Sequence, residues 1–535
     1  MIDNFCKYCI LHGAEIFPLN INAEDSKHLG ICNPSIFNDG ENIYLTLRNV
    51  NYMLYQNLNK NFQTFYGELA YCTPDNDNNL RTQNYLAKYD LIDNNIISYN
   101  LIDTSKFDTT PVWNFIGHED VRLVKWEDKW YVTGCRRDVK PNGESRMELC
   151  EIDINTGEEL SRVRIKSSED DESYCEKNWM PILDKSFHYI RWTSPVTEIV
   201  KINPLNGDCT TVKTINQDIS LINSTRTLRG SSQIIPYKDE YIALVHEVDL
   251  WLSELERKEA QYYMKFIKFD KDFNIVSTSD DFKFLNFSIE FTNGLMYKDN
   301  YFYIPFSVMD NISFILKVKE EVVNDFIDKN YNDVTYIKQN ENIYRTICLN
   351  NDDPECWFSF GEKLYKEKQY AQACVCFARA LEEDAQTIDD KYRYAYALAN
   401  SFSGIGERDN VELSLWENCI NLDSSRSEAY EHIARYYKWR NNAHTAYTFI
   451  KLAYELNNYK LKSSISLVDT ISCEILFYEL SYTCSNTVNS YLNLIELKNK
   501  LLQNNTNTNY NFYINKINDI LHKIEENKKN IKKVI

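Results

Sequence analysis

Through the first 320 residues, runs of alternating apolar and polar positions recur in pairs, joined by turns rich in Asp, Gly, Lys or Asn. Alternation of this kind, with Tyr, Trp, Phe, Ile and Val on the apolar side, predicts β-hairpins. The copies are Asn33-Pro34-Ser35-Ile36 with the strand from Ile43, the hairpin around Trp126 and Trp130, Trp179-Met180-Pro181-Ile182 with Phe187 to Arg191, Ser232 to His246, and Gly294 to Asp310. The second strands begin near Ile43, Trp130, Phe187, Glu240 and Tyr301. After the long first interval they are spaced by about 57, 53 and 61 residues, close to the ~50 of a propeller blade. The pattern predicts a five-bladed β-propeller over residues 1–325. One stretch departs from it: Leu252–Tyr263, LSELERKEAQYY, has helical spacing and is expected as a lid or insertion.

From Asp353 the period changes to that of helices. Trp357, Phe360, Gly361, Leu364, Ala373, Phe377 and Ala380 follow the tetratricopeptide order of large and small positions. Tyr430, Ile433, Ala434, Tyr437, Ala446, Ile450 and Ala453 repeat it, with a looser copy at Tyr394, Ala397, Trp416 and Cys419 between them. One helical pair cannot bury its apolar stripe alone, so such pairs stack. The division is therefore a propeller over 1–325, a linker over 326–352 and a tetratricopeptide-like helical domain over 353–535. Residues 504–509 read as a polar linker before a terminal amphipathic helix.

The polar residues fall at recurrent places. Four second strands end on, or just beyond, Arg48, Arg136, Arg191 and His246, and the fifth ends at Asp310. In a propeller the inner ends of the blades converge on one funnel, which turns distant positions into one polar ring. The stretch Gly117 to Asp138, GHEDVRLVKWEDKWYVTGCRRD, is the densest case. It sets Glu119, Asp120 and Arg122 at the start of one strand and Arg136 and Arg137 past the end of the next. A carboxyl group beside a cation clamp is the pairing that sugar chemistry with phosphate needs.

Composition narrows the field. A net charge of −19 and a pI near 5.0 argue against nucleic acid, whose phosphates demand a basic surface. The 38 Tyr, 26 Phe and 9 Trp suit β-rich structure and also clefts in which rings stack on sugars. Fifteen cysteines without regular spacing read as reduced thiols in a cytoplasmic protein. The Cys6/Cys9 CxxC has no second CxxC or His pair near it, so no metal site is expected. No apolar run approaches the ~20 residues of a membrane span.

The propeller region resembles the five-bladed mannoside phosphorylases and mannosidases of glycoside hydrolase family 130 and their mannosyltransferase relatives. The resemblance lies in Asn33-Pro34-x-Ile36 with a strand ending at Arg48, Gly117-x-Glu119-Asp120-x-Arg122, Lys177-Asn178-x-x-Pro181 leading to Arg191, His246, and Gly294-Leu295 with Asp310. It implies that Asp120 is the proton donor and that Asn33, Arg48 and Asp310, with Arg122, hold the sugar. It implies further that Arg136 or Arg137, Lys177, Arg191 and His246 hold phosphate. When phosphate is the nucleophile, one acid and a set of cations suffice without a second catalytic carboxylate. The expected activity is that of a glycoside phosphorylase or mannosyltransferase. It would act on an oligosaccharide with inorganic phosphate or a sugar phosphate as co-substrate and no other cofactor, in glycan assembly. The alternative is a non-catalytic glycan-binding propeller that recruits a glycosyltransferase through its helical repeats, which in either case offer a surface to a protein partner. Val121 stands where the family usually has proline, and His118 is a second departure.

Overall fold

The computed structural model describes residues 2–21, 29–56, 69–72, 79–166, 173–222, 224, 226–252, 258–330, 342–382, 387–406, 409–458, 470–485, 488–503 and 510–534. The chain forms two compact units, residues 1–380 with 405–408, and residues 381–404 with 409–535.

The first unit opens with α1 (Phe5–Leu11) and β1 (Glu15–Leu19). Blade 1 comprises β2 (Gly30–Asn38), β3 (Ile43–Val50), β6 (Leu80–Asp90) and β7 (Asn95–Leu101). A small hairpin of β4 (Met53–Gln56) and β5 (Leu69–Cys72) is inserted in it, and β8 (Phe115–Ile116) pairs with β6. Blade 2 is β9 (His118–Trp126), β10 (Lys129–Arg136), β11 (Arg146–Ile152) and β12 (Glu159–Arg164). Blade 3 is β13 (Met180–Pro181), β14 (His188–Trp192), β15 (Val196–Ile202) and β16 (Cys209–Asn216). Blade 4 joins β17 (Arg229–Gly230) and β18 (Ile235–Tyr237) to β19 (Glu240–Leu252), β20 (Lys258–Phe269) and β21 (Ile275–Thr278). Blade 5 joins β22 (Glu290–Phe291) and β23 (Met296–Lys298) to β24 (Tyr301–Val308) and β25 (Ile312–Lys319). Its fourth strand is β1, antiparallel to β25 with Phe17 opposite Ile315. The chain start thus closes the ring and covers the edge that β25 would otherwise expose.

Apolar side chains of adjoining blades meet in separate clusters. Leu45 and Leu47 of blade 1 join Met296 and Ile315 of blade 5. Val121 and Val132 of blade 2 join Tyr44 and Leu86 of blade 1. Trp126 and Tyr131 pack on Phe187 and Tyr189 of blade 3, and Ile190 and Ile199 on Ala243 and Val245 of blade 4. Both faces of the sheets are therefore buried, which is why the second strands read as near-continuous apolar runs.

The stretch expected to be helical, 252–263, is strand where described. The β19–β20 ladder runs unbroken from Tyr241↔Phe269 to Leu252↔Lys258, and 253–257 lie outside the described residues. Twelve consecutive cross-strand pairs outweigh the weak helical spacing of a short charged stretch.

Helices follow the last blade: α2 (Glu320–Ile327), α3 (Ile343–Leu349), α4 (Pro354–Lys366) and α5 (Tyr370–Glu382). The stretch expected as a linker therefore contains the end of α2 and all of α3, while 331–341 lie outside the described residues. Helix α4 shows why these segments are helical. Asp353 caps it by accepting from the Glu355 N–H, Pro354 occupies the first turn, and Lys363 and Lys366 end it. It buries Trp357, Phe360, Gly361 and Leu364. A Cβ on Gly361 would lie 2.6 Å from the Phe377 ring of α5, so this close helical pair requires glycine. The second unit continues with α6 (Ile388–Ile405), α7 (Asp409–Leu422), α8 (Glu428–Trp439), α9 (Ala443–Leu456), α10 (Thr470–Ser485), α11 (Val488–Gln503) and α12 (Tyr510–Val534). Ala434, Ala446, Ile450 and Ala453 pack on Cys473 and Leu476, the stacking that the repeat pattern predicts. The expected linker at 504–509 lies outside the described residues. No described helix is long and apolar enough to cross a membrane.

Candidate active site

All five blades contribute to one cavity of about 450 Å³. Its floor is built by two equivalent β-bulges. In β2, Cys32 pairs with Arg48 and Ser35 with Thr46, so Asn33 and Pro34 face Leu47 alone. In β9, Glu119 pairs with Cys135 and Arg122 with Thr133, so Asp120 and Val121 face Gly134 alone. A bulge re-aims the side chain it carries. Asn33 and Asp120 stand in the left-handed backbone region, at φ 46° and 54°, and cavity residues Asn178 and Asp310 do the same at 64° and 51°. Each such residue costs on the order of 1 kcal/mol, a strain that concentrates at ligand sites.

Asp120 Oδ1 accepts from Asn33 Nδ2 at 2.7 Å and from Arg48 Nη1 at 2.8 Å. Asn33 is itself fixed: Ser307 Oγ donates to its Oδ1 at 2.8 Å, and its carbonyl accepts from Asn293 Nδ2 at 3.0 Å. Arg48 Nη2 reaches the Tyr52 hydroxyl at 3.2 Å, which donates to Asp310 Oδ2 at 3.2 Å. Burial pushes the Asp120 carboxyl up, but Arg48, Lys177, Asn33 and Arg122 together hold it below the ordinary value. Asp310 goes the other way: burial raises it, with Asp120 and Glu119 adding to the effect and Arg48 and Tyr52 offsetting part of it. One cavity thus holds a firmly ionised carboxylate and a second carboxyl that keeps a proton more readily.

Of the residues expected from the sequence, Asn33, Arg48, Asp120, Arg137, Lys177, His246 and Asp310 line this cavity together. The other three do not. Arg136 is 2% exposed and is taken by Asp138, at 2.6 and 3.0 Å, and by Asp108 at 2.5 Å. Arg191 is bound to Glu176 at 2.7 Å and Glu198 at 3.3 Å and lies against the Trp179 and Trp192 rings. Arg122 is buried and donates to the carbonyls of Ser231, at 2.7 Å, and Asp120, at 2.9 Å. It braces the bulge from behind, and burial lowers its pKa to about 10, leaving it cationic at neutral pH. Carboxylates thus take the Arg136 and Arg191 guanidinium groups that the sequence offers as free, and Arg122 is spent on backbone carbonyls of its own blade and of blade 4.

Besides Arg48, which grips Asp120, the cavity cations are Lys177, Arg137 and Arg229. Lys177 is exposed to solvent there. Desolvation works against its charge, but Tyr262 and Glu119 favour it more strongly. Arg137 donates to the Gly143 carbonyl at 2.9 Å and the Tyr174 hydroxyl at 3.2 Å. Arg229, unnoticed in the sequence, comes from β17, opposite His246. Like Lys177 in blade 3, it stands at the inner, first strand of its blade, and attention to first strands as well as second ones would have found it. His246 is no cation: burial lowers its pKa far below the ordinary value, and Arg229 and Lys177 add to that. Its neutral ring bonds Ser231 Oγ through Nδ1 at 2.8 Å and stacks on Tyr262.

Among the described residues, His118, Glu148 and Cys150 form one buried group with ligand-type atoms within 4.8 Å of one another. Glu148 already holds His118 Nε2 at 2.5 Å and Arg164 at 3.0 Å. Burial pushes its carboxyl up, but the hydrogen bond with His118 and the Arg136 and Arg164 guanidinium groups bring it down to about 2. Both Glu148 carboxylate oxygens are thereby engaged, so the group reads as a brace for β9.

No family model and no curated protein matches the chain. Solved structures similar to it include a β-1,2-mannobiose phosphorylase from Listeria innocua, at 12% identity and TM-score 0.37, covering 58% of this chain and 99% of that one. A GDP-Man-dependent mannosyltransferase from Leishmania mexicana is similar at 10% identity and TM-score 0.34, covering 60% and 93%. The Pseudomonas aeruginosa protein pilF is similar at 10% identity and TM-score 0.26, over 33% of this chain and 71% of that one. The strand ladders themselves, rather than these likenesses, establish a five-bladed propeller followed in sequence by paired helices.

Proposed function

We propose that the protein is a carbohydrate-active enzyme that forms or cleaves a mannoside-type bond, with sugar 1-phosphate or inorganic phosphate as co-substrate. The observation that carries this reading is the Asp120 carboxylate, gripped by Asn33 and Arg48 in a cavity also lined by Lys177, Arg137 and Arg229. In the synthetic direction an acceptor hydroxyl oxygen attacks C1 of a sugar 1-phosphate, the C1–O bond to phosphate breaks, and inorganic phosphate leaves toward the cations. The hydroxyl proton passes to Asp120, whose ionised state suits it to receive one. In reverse, a phosphate oxygen attacks C1, the glycosidic C1–O bond breaks, and protonated Asp120 gives its proton to the leaving oxygen. Phosphate bound among the cations cancels part of the field that holds Asp120 ionised, so its arrival raises the affinity of Asp120 for a proton. The mannoside assignment comes from the sequence resemblance, and phosphate specificity from the cations.

A second reading, a glycan-binding propeller that recruits a glycosyltransferase through its helices, is favoured by the same grip on Asp120: a carboxylate held by two donors also serves to bind hydroxyls. Incubation with manno-oligosaccharides and phosphate, and with mannose 1-phosphate and acceptor sugars, separates the two. The enzyme reading expects mannose 1-phosphate in the first mixture and a new glycoside in the second. Asp120→Asn lowers both by at least ~100-fold while the folded state persists. Binding without product in either mixture favours the second reading.

A further inference from the structure

Resting on this reading of the site, we propose that the outer half of the cavity receives an apolar aglycone, so that the sugar is handled as an alkyl or aryl glycoside. The carrier is the arm that β19 and β20 form beyond the blade. Residues directly opposite in an antiparallel ladder share a face. His246 pairs with Met264, Val248 with Tyr262 and Leu250 with Ala260, so these six stand on one side of the arm. His246, Tyr262, Leu250 and Ala260 all line the cavity. From the polar floor outward this face becomes apolar at Val248, Leu250 and Ala260, with Leu252 opposite Lys258 as the last pair of the ladder.

The opposite face of the same arm is charged. There Glu247 and Asp249 take the Arg226 guanidinium. The apolar character is therefore a property of the cavity side and not of the arm. Leu250 is 47% exposed although it lines the cavity, and Leu54 and Phe115 add apolar surface from other elements. A ligand made only of hydroxylated rings would set polar groups against this wall without partners, whereas an apolar group removes the wall from water.

The test is calorimetric binding of methyl and hexyl α- and β-D-mannopyranosides to the full chain, its Leu250→Asp and Ala260→Asp variants, and the milder Leu250→Ser. The unfolding temperature of each variant is measured to show that it folds. The proposal expects the hexyl glycoside to bind at least ~10-fold more tightly than the methyl one. It expects that ratio to fall to within about threefold in the aspartate variants, with Leu250→Ser between. Equal binding of the two glycosides, or a preference that persists in every variant, overturns the aglycone site and leaves the sugar site standing. If no mannoside binds at all, the reading of the sugar site falls, and the aglycone site with it.

Discussion

Arginines that look alike in the sequence have different fates, and nearby acceptors decide which. Arg136 and Arg191 sit at strand ends as the repeat pattern predicts, yet Asp138, Asp108, Glu176 and Glu198 close around them. Arg229, with no conspicuous motif, lines the cavity. Phosphate is therefore expected to raise the unfolding temperature of the protein by a few degrees at concentrations well above its dissociation constant. Arg229→Ala reduces that shift by half or more, whereas Arg191→Ala lowers the baseline stability but keeps the shift. Thermal unfolding with and without phosphate measures both, and an unchanged shift in Arg229→Ala would remove it from the anion site. Arg48, His246 and Asp310 were legible as cavity-lining residues because the blades repeat, and Asn33, Asp120 and Lys177 through the family resemblance. The carboxylate partners that take Arg136 and Arg191 out were not, since Asp108 and Glu198 belong to strands and loops whose neighbours only the folded sheet defines.

At the scale of the element, the two bulges do what straight strands cannot. A regular β9 would alternate its side chains strictly, and the extra residue opposite Gly134 is what lets Asp120 and Arg122 serve floor and brace. A Cβ on Gly134 would lie 2.6 Å from the Glu119 carbonyl and 2.8 Å from Val121 Cγ1. Gly134→Ala is expected to cost about 1–3 kcal/mol in denaturant unfolding and to lower turnover well beyond what that loss explains, because it displaces the bulge carrying Asp120. Wild-type turnover in a stably folded Gly134→Ala protein would show that the bulge geometry is dispensable. Hairpins were legible here from alternation and turn residues, but bulges were not, because one unpaired residue hardly disturbs the alternation. The stretch 252–263 was misread as helical for a related reason: its sequence has helical spacing, while the ladder that holds its described residues is propagated from the blade below.

For the whole molecule, closure of the ring is the decisive event. Strand β1 supplies the last strand of blade 5 and buries Ile16 and Leu19. Removal of residues 1–19 leaves β25 as a bare edge and opens the apolar seam between blades 5 and 1. Such a chain is expected to aggregate or to lose cooperative unfolding, as seen by circular dichroism and light scattering. A soluble truncated chain melting within a few degrees of the intact one would refute a closing role for β1.

The sequence by itself determined the five repeats, the change to helical pairs and the recurrent strand-end places of Arg48, His246 and Asp310, because side-chain periodicity is a local property written once per element. Only the tertiary structure decided which strand closes the ring, which cations line the cavity and which of Asp120 and Asp310 holds a proton the more readily. Those outcomes depend on distances between groups that the chain brings together from blades up to some 300 residues apart, as with Asn33 and Ser307, and electrostatic and hydrogen-bonding energies follow distance in space rather than position along the chain.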